Sequence, residues 1–468
     1  MITITNLESN PLVFDSRVPK NFLIAIGFGF AVLISCCFLN YSVAGIISAI
    51  TLIFVLIVLF RYKPLFIIKY LSFVFGWAGS IAGCFVIEYF NVYLTELNVI
   101  SFNASSLSLL CLSCAVFFLL LVLFDLKFEI KEVNSPTLNN KYGLAFYGSV
   151  AILILLCIMF AMVITKPSFI LGLDRFEYEL KYPLGVFATF ANYMNWLIVI
   201  PLLAIRNGNK VLGCACVVVY CLFLLWTGTK FGGFFTILCL IPLVYYDRFK
   251  QLNPDRLRLL VSKFGIALIC LIIIAVGSYT LISDKTGNEY FQERVAQQGQ
   301  LWWRTYSLSN GETHLFELKD ELDATANPIP NVSDNVGSKY GIYKIMYYCA
   351  PESYVDNKLM SGSRYSEAGY AAAYYYAGFW GPIIYATLMA LLISAFTNLF
   401  IKTVTARSVI FSLLSIRLLK ILSTVSSMFI FSELIEPVSL LSYFLLCLWL
   451  AKKSKVNYRN RISKTVFG

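Results

Sequence analysis

A lysine stands in the four-residue break of "LLWTGTKFGGFFTIL" (224–238), with apolar runs on either side. An ammonium group placed there has two uses. It can snorkel to lipid headgroups, or it can hold a phosphate, helped by the N–H groups that open the helix beginning at "FGGFF". Lys230 has company: Arg175 in "KPSFILGLDRFEYELKYP" (166–183), Arg294 and Arg304 in "YFQERVAQQGQLWWRTYS", and Arg364 in "SRYSEAGYAAAYYYAGFWGPIIY" (363–385). Each alone reads more simply as a solvated loop charge, but cations gathered on one face are what a developing anion requires. For proton transfer the candidates are Glu367 and His314, the single histidine, in "NGETHLFEL". Glu367 has a plainer reading as an acid complementing a helix N-terminus. Arg417 and Lys420 lie three apart in "FSLLSIRLLKILSTV", on one helical face deep in an apolar run. A charge there costs about 2.5–3.5 kcal/mol on insertion scales, so the pair either faces a cavity or snorkels out.

The elements that must position these groups are membrane helices. Of 468 residues, 59% are hydrophobic and 13% charged, against about 25% charged in an ordinary soluble domain. Roughly twelve runs are long enough to cross a hydrocarbon core, near 21–40, 43–60, 65–87, 104–124, 143–165, 184–205, 211–226, 231–246, 262–282, 369–401, 408–431 and 437–451. An all-α, polytopic integral membrane protein follows. Twelve of the thirteen cysteines lie in or beside these runs and read as small buried hydrophobes rather than as disulfides or metal ligands. The net charge of +11 points to topology, not to nucleic acid. Lys and Arg crowd alternate loops, with five between Arg248 and Lys263, and fill the tail "KKSKVNYRNRISK", while the loops near 41, 88–103 and 432–436 have none. The positive-inside rule puts both termini in the cytoplasm.

Two outward loops break that pattern, the short one at 166–183 and a long one at 283–368. Loops beyond about 15 residues are usually functional or disordered, and the long one is rich in aromatics, Gln and Arg, as an ordered cap would be. The expected organisation is therefore helices 1–9 in 1–282, a cap in 283–368, and helices 10–12 with a basic tail in 369–468.

The hairpin "TGTKFGGFF", the segment around Arg175 and "SRYSEAGYAAAYYYAGFWGPIIY" together resemble the Wzy-type O-antigen and oligosaccharide repeat-unit polymerases, inner-membrane glycosyltransferases related in fold to O-antigen ligases and the GT-C class. The likeness covers most of the chain as topology and particular residues in only a few places. Lys230 stands where the family usually has an arginine, which keeps the charge but loses the bidentate fork. Arg175 is followed by Gly185 at one residue short of the family spacing, and Gly378 and Gly381 match its glycine pair, with Arg364, Ser366 and Glu367 upstream. The ligases place a histidine near Ser366; its absence favours a polymerase.

The resemblance implies transfer of a growing glycan from undecaprenyl diphosphate to the sugar of another lipid-linked repeat unit, on the periplasmic face of the bacterial inner membrane, with neither metal nor cofactor. A chain-length regulator of the Wzz type is the implied partner. Lys230, Arg175, Arg294, Arg304, Arg364 and Arg417 would then stabilise the leaving diphosphate. Glu367, or alternatively His314, would take the acceptor proton. Trp302 and Trp303 would stack on sugar rings, unless they form an interfacial aromatic belt. No DxD, P-loop or GxGxxG occurs, and the ExE of Glu177 and Glu179 is explained by pairing with Arg175. A lipid-linked oligosaccharide flippase and an O-antigen ligase are the rival readings. A flippase would show two similar halves with short loops, whereas this chain has no visible repeat and one long loop.

Overall fold

A computed structural model describes residues 20–39, 42–128, 141–173, 178, 181–182, 197–228, 232–280, 287–309, 311–329 and 331–466. The apolar runs become helices because a backbone surrounded by lipid must satisfy its own N–H and C=O groups. In chain order these are α1 (Lys20–Cys37), α2 (Ser42–Tyr62), α3 (Pro64–Lys69), α4 (Leu71–Phe90), α5 (Leu107–Phe128), α6 (Lys141–Ile164) and α7 (Ser168–Leu171). After them come α8 (Val199–Arg206), α9 (Lys210–Trp226), α10 (Gly232–Val244), α11 (Tyr246–Lys250) and α12 (Pro254–Thr280). The one sheet among the described residues is a two-stranded antiparallel ladder between α4 and α5, pairing Tyr93 with Ile100 and Leu94 with Val99.

The described residues between 287 and 368 form a helical cap: α13 (Gly287–Ala296), α14 (Gln300–Ser309), a 3-10 turn at Leu315–Glu317, α15 (Leu318–Ala326), α16 (Gly341–Cys349) and α17 (Glu352–Met360). The chain then returns as α18 (Gly369–Ala377), α19 (Trp380–Thr405), α20 (Val409–Met428), α21 (Ser432–Ile435) and α22 (Pro437–Val466). Among the described residues, five helices are long and apolar enough to cross a membrane: α2, α4, α5, α19 and α20. Shorter apolar helices accompany them, at Asn21–Cys37, Leu155–Leu171, Lys210–Trp226, Gly232–Val244 and Pro437–Lys452.

The centre of the bundle is α5. It is apolar on every face and therefore buried on most of them, with Leu107, Cys111, Ala115, Phe117 and Leu121 fully enclosed. Polar pairs fix how its neighbours sit. Ser48 meets Ser108 at 3.1 Å and Thr403 meets Ser415 at 3.0 Å. At the end of α5 away from the cap, Asp125 accepts from Lys69, from Tyr70 at 2.8 Å and from Asn398 at 2.8 Å, and Lys69 also reaches Asn398 at 2.7 Å. Charges in a low-dielectric interior persist only when paired in this way, so this network locks α3, α5 and α19 in register.

The run expected as a single helix from 369 is broken. Gly378, at φ +56°, folds α18 back on α19 as a hairpin. Tyr370 meets Tyr385 edge to face (centroids 5.3 Å apart), and a side chain on Gly381 would overlap the Ala373 carbonyl. Hydrophobicity alone runs straight through this turn; only a residue that tolerates left-handed backbone allows it. Residues 367–377 consequently lie alongside the first turns of α19 rather than above them.

Candidate functional site

The cap is seated on the α4–α5 hairpin, and its tryptophans are the pegs. Trp302 and Trp303 are 2% and 0% exposed, and their indole N–H groups donate to the Ser106 carbonyl (3.2 Å) and the Phe102 carbonyl (2.9 Å). Neither ring is free to stack on a sugar; they are packing residues. Glu96 is a second anchor, accepting from Gln300 and pairing with Lys358 at 2.8 Å, while its carbonyl takes the Tyr365 hydroxyl at 2.6 Å. Closest approach comes where Gly83 of α4 meets Gly299. A Cβ on Gly83 would lie 2.5 Å from the Gly299 nitrogen, and one on Gly299 would overlap the Cys84 nitrogen.

Below this seat lies a cavity of about 730 Å³. Its walls are α4, α10 and α20, and α13 and residue Glu367 close the cap end. Gly76 and Gly79 leave one wall open: a Cβ on Gly76 would touch nothing within 4 Å. Phe235, Leu240 and Ile416 make the rest of the trough apolar, whereas Arg294, Gln298, Glu367, Lys420, Ser423 and Ser427 bring polar groups to it. The space thus combines apolar walls with cationic and carboxyl groups, the chemistry of a site for an amphiphile with an anionic head.

Glu367 is held rigidly and at a cost. It has φ +58°, a conformation that strains a residue with a Cβ by roughly 1–2 kcal/mol. It stays there because the Ala368 N–H donates to the Ser427 carbonyl at 2.7 Å and because Gly369 packs directly on the Ser426 carbonyl. Protein surrounds the carboxyl, and its remaining open surface faces the cavity. Burial pushes its pKa up to about 7, near neutrality, where a proton-transfer group is most effective.

A second cluster adjoins α20 beyond the cavity. Phe429, in the left-handed region, ends that helix and turns the chain back along it. Arg417 pairs with Glu436 and donates to Ser439, both at 3.1 Å. Glu433 is pushed upward by burial and by Glu436, and pulled back by Arg364, Arg417 and Lys420. Three cations therefore converge on this returning segment. Lys420 also lines the cavity, whereas Arg417 is engaged with Glu436 outside it. Arg364 contacts the Tyr343 hydroxyl at 3.3 Å.

The remaining candidates lie elsewhere. Arg304 is in the cap near Tyr348 and Cys349, away from the cavity lining. His314 stacks on Tyr375 (4.2 Å, 9°) with its Nδ1 3.3 Å from Glu317. There it belongs to a cap network in which Lys344 pairs with Glu317 (2.7 Å) and Asp320 (2.9 Å). In the same network buried Glu321 accepts from the Gly341 N–H (2.6 Å) and the Tyr376 hydroxyl (2.5 Å). Lys230 and Arg175 fall outside the described residues. Among the described residues, no three His, Cys, Asp or Glu side chains are grouped to hold a metal ion.

Sequence reading passed over Glu433 and Glu436. A usable signal was present: an acidic pair in "FSELIEP" directly follows a helix carrying Arg417 and Lys420. Gln298 and Ser427 had no signal, since nothing in their spacing ties them to α4. A family model described as a family of unknown function (DUF6418) matches residues 335–444, the stretch that supplies Arg364, Glu367, Arg417, Lys420 and Glu433. No curated protein and no solved structure matches the chain.

Proposed function

We propose that the protein is a membrane glycosyltransferase that polymerises undecaprenyl-diphosphate-linked repeat units. In this reading the chain makes twelve passes through the bacterial inner membrane, with both termini in the cytoplasm and the cap in the periplasm. The observation that carries the reading is a cavity lined by Glu367, Arg294 and Lys420 together with an apolar trough. Its size lies within the roughly 300–1,000 Å³ of ordinary ligand sites, and its polarity suits a lipid diphosphate.

The chemistry follows from that placement. The acceptor hydroxyl oxygen attacks the anomeric carbon of the donor sugar, and its proton passes to the Glu367 carboxylate. The bond from that carbon to the diphosphate breaks, and the electron pair leaves with the lipid diphosphate. Arg294 and Lys420 neutralise the charge growing on the departing oxygen. A positioned base of this kind contributes roughly 10²–10⁴-fold.

Deletion of the gene followed by gel analysis of the lipopolysaccharide tests the reading. Loss of a polymerase leaves lipid A–core bearing one repeat unit. Loss of a ligase leaves bare core with polymer retained on the carrier lipid, and loss of a flippase leaves bare core with no polymer. Either of the last two outcomes, or unchanged ladders, refutes the proposal.

A further inference from the structure

The cap carries an apolar edge that the site does not use. In the 3-10 turn and α15, Leu315, Phe316 and Leu322 are 58%, 95% and 69% exposed, and Leu318 lies on the same edge. These side chains cannot roll inward, because the polar side of the element is fastened at four points. His314 is stacked on Tyr375 and its N–H donates to the Tyr375 carbonyl; Glu317 and Asp320 hold Lys344; Glu321 is buried against Gly341 and Tyr376. The apolar edge is therefore a fixed feature of the fold.

Its position identifies what covers it. Thr313 packs against Gly378 at the tip of the α18–α19 hairpin. From that tip a stripe of exposed residues runs down α19: Trp380 (64%), Ile384 (62%) and Leu388 (45%), spaced four apart along a membrane-crossing helix. Phe38, 74% exposed at the end of α1, stacks beside it on Phe379. Such a stripe faces lipid, and aromatics at its end mark the headgroup level. Leu315 and Phe316 follow two and three residues after Thr313, which sits at that tip. Exposed Lys319 beside them is placed to reach phosphate headgroups while its stem lies along apolar surface.

We propose that residues 315–322 form a membrane foot, sinking Phe316, Leu315 and Leu322 into the leaflet on the cap side and fixing the height of the cap above the cavity. Burying such an edge at the interface follows the pattern of amphipathic surface helices. The inference rests on the membrane fold and not on the proposed chemistry.

Spin labels test it. In full-length protein with the exposed thiols Cys214, Cys270 and Cys447 changed to serine, a single cysteine replaces Phe316, Leu322, Ile384 or Ser361 in turn. Each is labelled and the protein placed in nanodiscs of anionic and zwitterionic phospholipid. Oxygen concentrates in the bilayer and a nickel chelate stays in water. The ratio of oxygen to nickel accessibility at 316 and 322 should match lipid-facing 384 and exceed exposed 361 several-fold. Nickel accessibility at 316 equal to that at 361 would place the edge in water and overturn the proposal. Exclusion of both reagents would mean that protein, a second copy or another chain, covers it, and would overturn the proposal equally.

Discussion

Replacement of Glu367 by glutamine separates the chemistry of this group from its effect on the fold. The amide keeps the shape and the left-handed backbone but cannot ionise. Burial raises the carboxyl from an ordinary 4.5 to about 7, and the sign of the consequence can be worked out. Below 4.5 both folded and unfolded chains carry the proton. Between 4.5 and about 7 the unfolded chain ionises while the folded one does not, so stability falls as pH rises. Above about 7 the full penalty is present, about 3 kcal/mol for that gap. Turnover runs the other way, since a base must be ionised, and should climb as pH passes through 7. At pH 8 Glu367→Gln should thus lose transfer activity roughly 10²–10⁴-fold while unfolding at a higher temperature than wild type. Near pH 4.5 the two proteins should unfold together. Glu321, also raised to about 7 by burial, gives both proteins a common slope, so the comparison is of their difference. With the exposed Cys214, Cys270 and Cys447 changed to serine in both proteins, the buried thiols of Cys84, Cys111, Cys114 and Cys349 make a thiol-reactive dye a reporter of unfolding. A glutamine variant no more stable than wild type at pH 8 would show that the carboxyl is not buried in the protonated form. One that retains activity would remove Glu367 from the reaction.

Lys420→Met should leave the unfolding temperature nearly unchanged and lower transfer at least tenfold, about 1.4 kcal/mol of lost charge stabilisation, as read by turnover in proteoliposomes. Arg417→Met should instead act first on stability, by roughly 1–3 kcal/mol, because Glu436 and Ser439 lose their donor; thermal unfolding separates the two. Gly299→Val should detach the cap, its side chain colliding with the Cys84 nitrogen, whereas Gly76→Ala, with open space around its Cβ, should be neutral; limited proteolysis of residues 287–360 distinguishes them. Lys344→Met should cost about 2 kcal/mol, below the 3–5 of a fully buried pair, since Glu317 and Asp320 keep partial solvent access.

Much of the bundle was legible because hydrophobic length is a one-dimensional property: the apolar runs around α2, α5, α19 and α20 are visible without knowing their partners. The helices described between 287 and 360 accompany aromatic content that an unstructured loop does not need. Arg294, Lys420 and Glu367 could be picked out as misplaced charges, yet their sharing of one cavity could not, since α13 is held against α4 at the Gly83–Gly299 contact and the 367 turn against α20 where Gly369 meets the Ser426 carbonyl. Each of those rests on a missing side chain, and a glycine in a sequence does not say which neighbour it admits. The tryptophans misled for a related reason. An exposed aromatic and a buried peg have the same spelling, and only the carbonyls of Phe102 and Ser106 tell them apart.

The same geometry explains why strain collects at residue 367. A carboxyl that must be surrounded by protein, yet open to a lipid-depth cavity, cannot sit within a regular helix here. On α18 the turns pack against α14, α16 and α19, and on α20 the cavity face is already given to Lys420 and three hydroxyls. The position left is the turn where the chain leaves the cap and meets the end of α20. There the backbone takes the left-handed form and Glu367 lines the trough. The Ser427 carbonyl and the absent side chain of Gly369 hold that form. A Gly369→Ala variant should therefore displace the carboxyl before it disturbs the bundle, because its Cβ would collide with the Ser426 carbonyl. Activity should fall at least tenfold, with the pH dependence of unfolding shifted toward that of Glu367→Gln. Unchanged activity in a folded Gly369→Ala protein would mean that the strained turn does not set the position of the base.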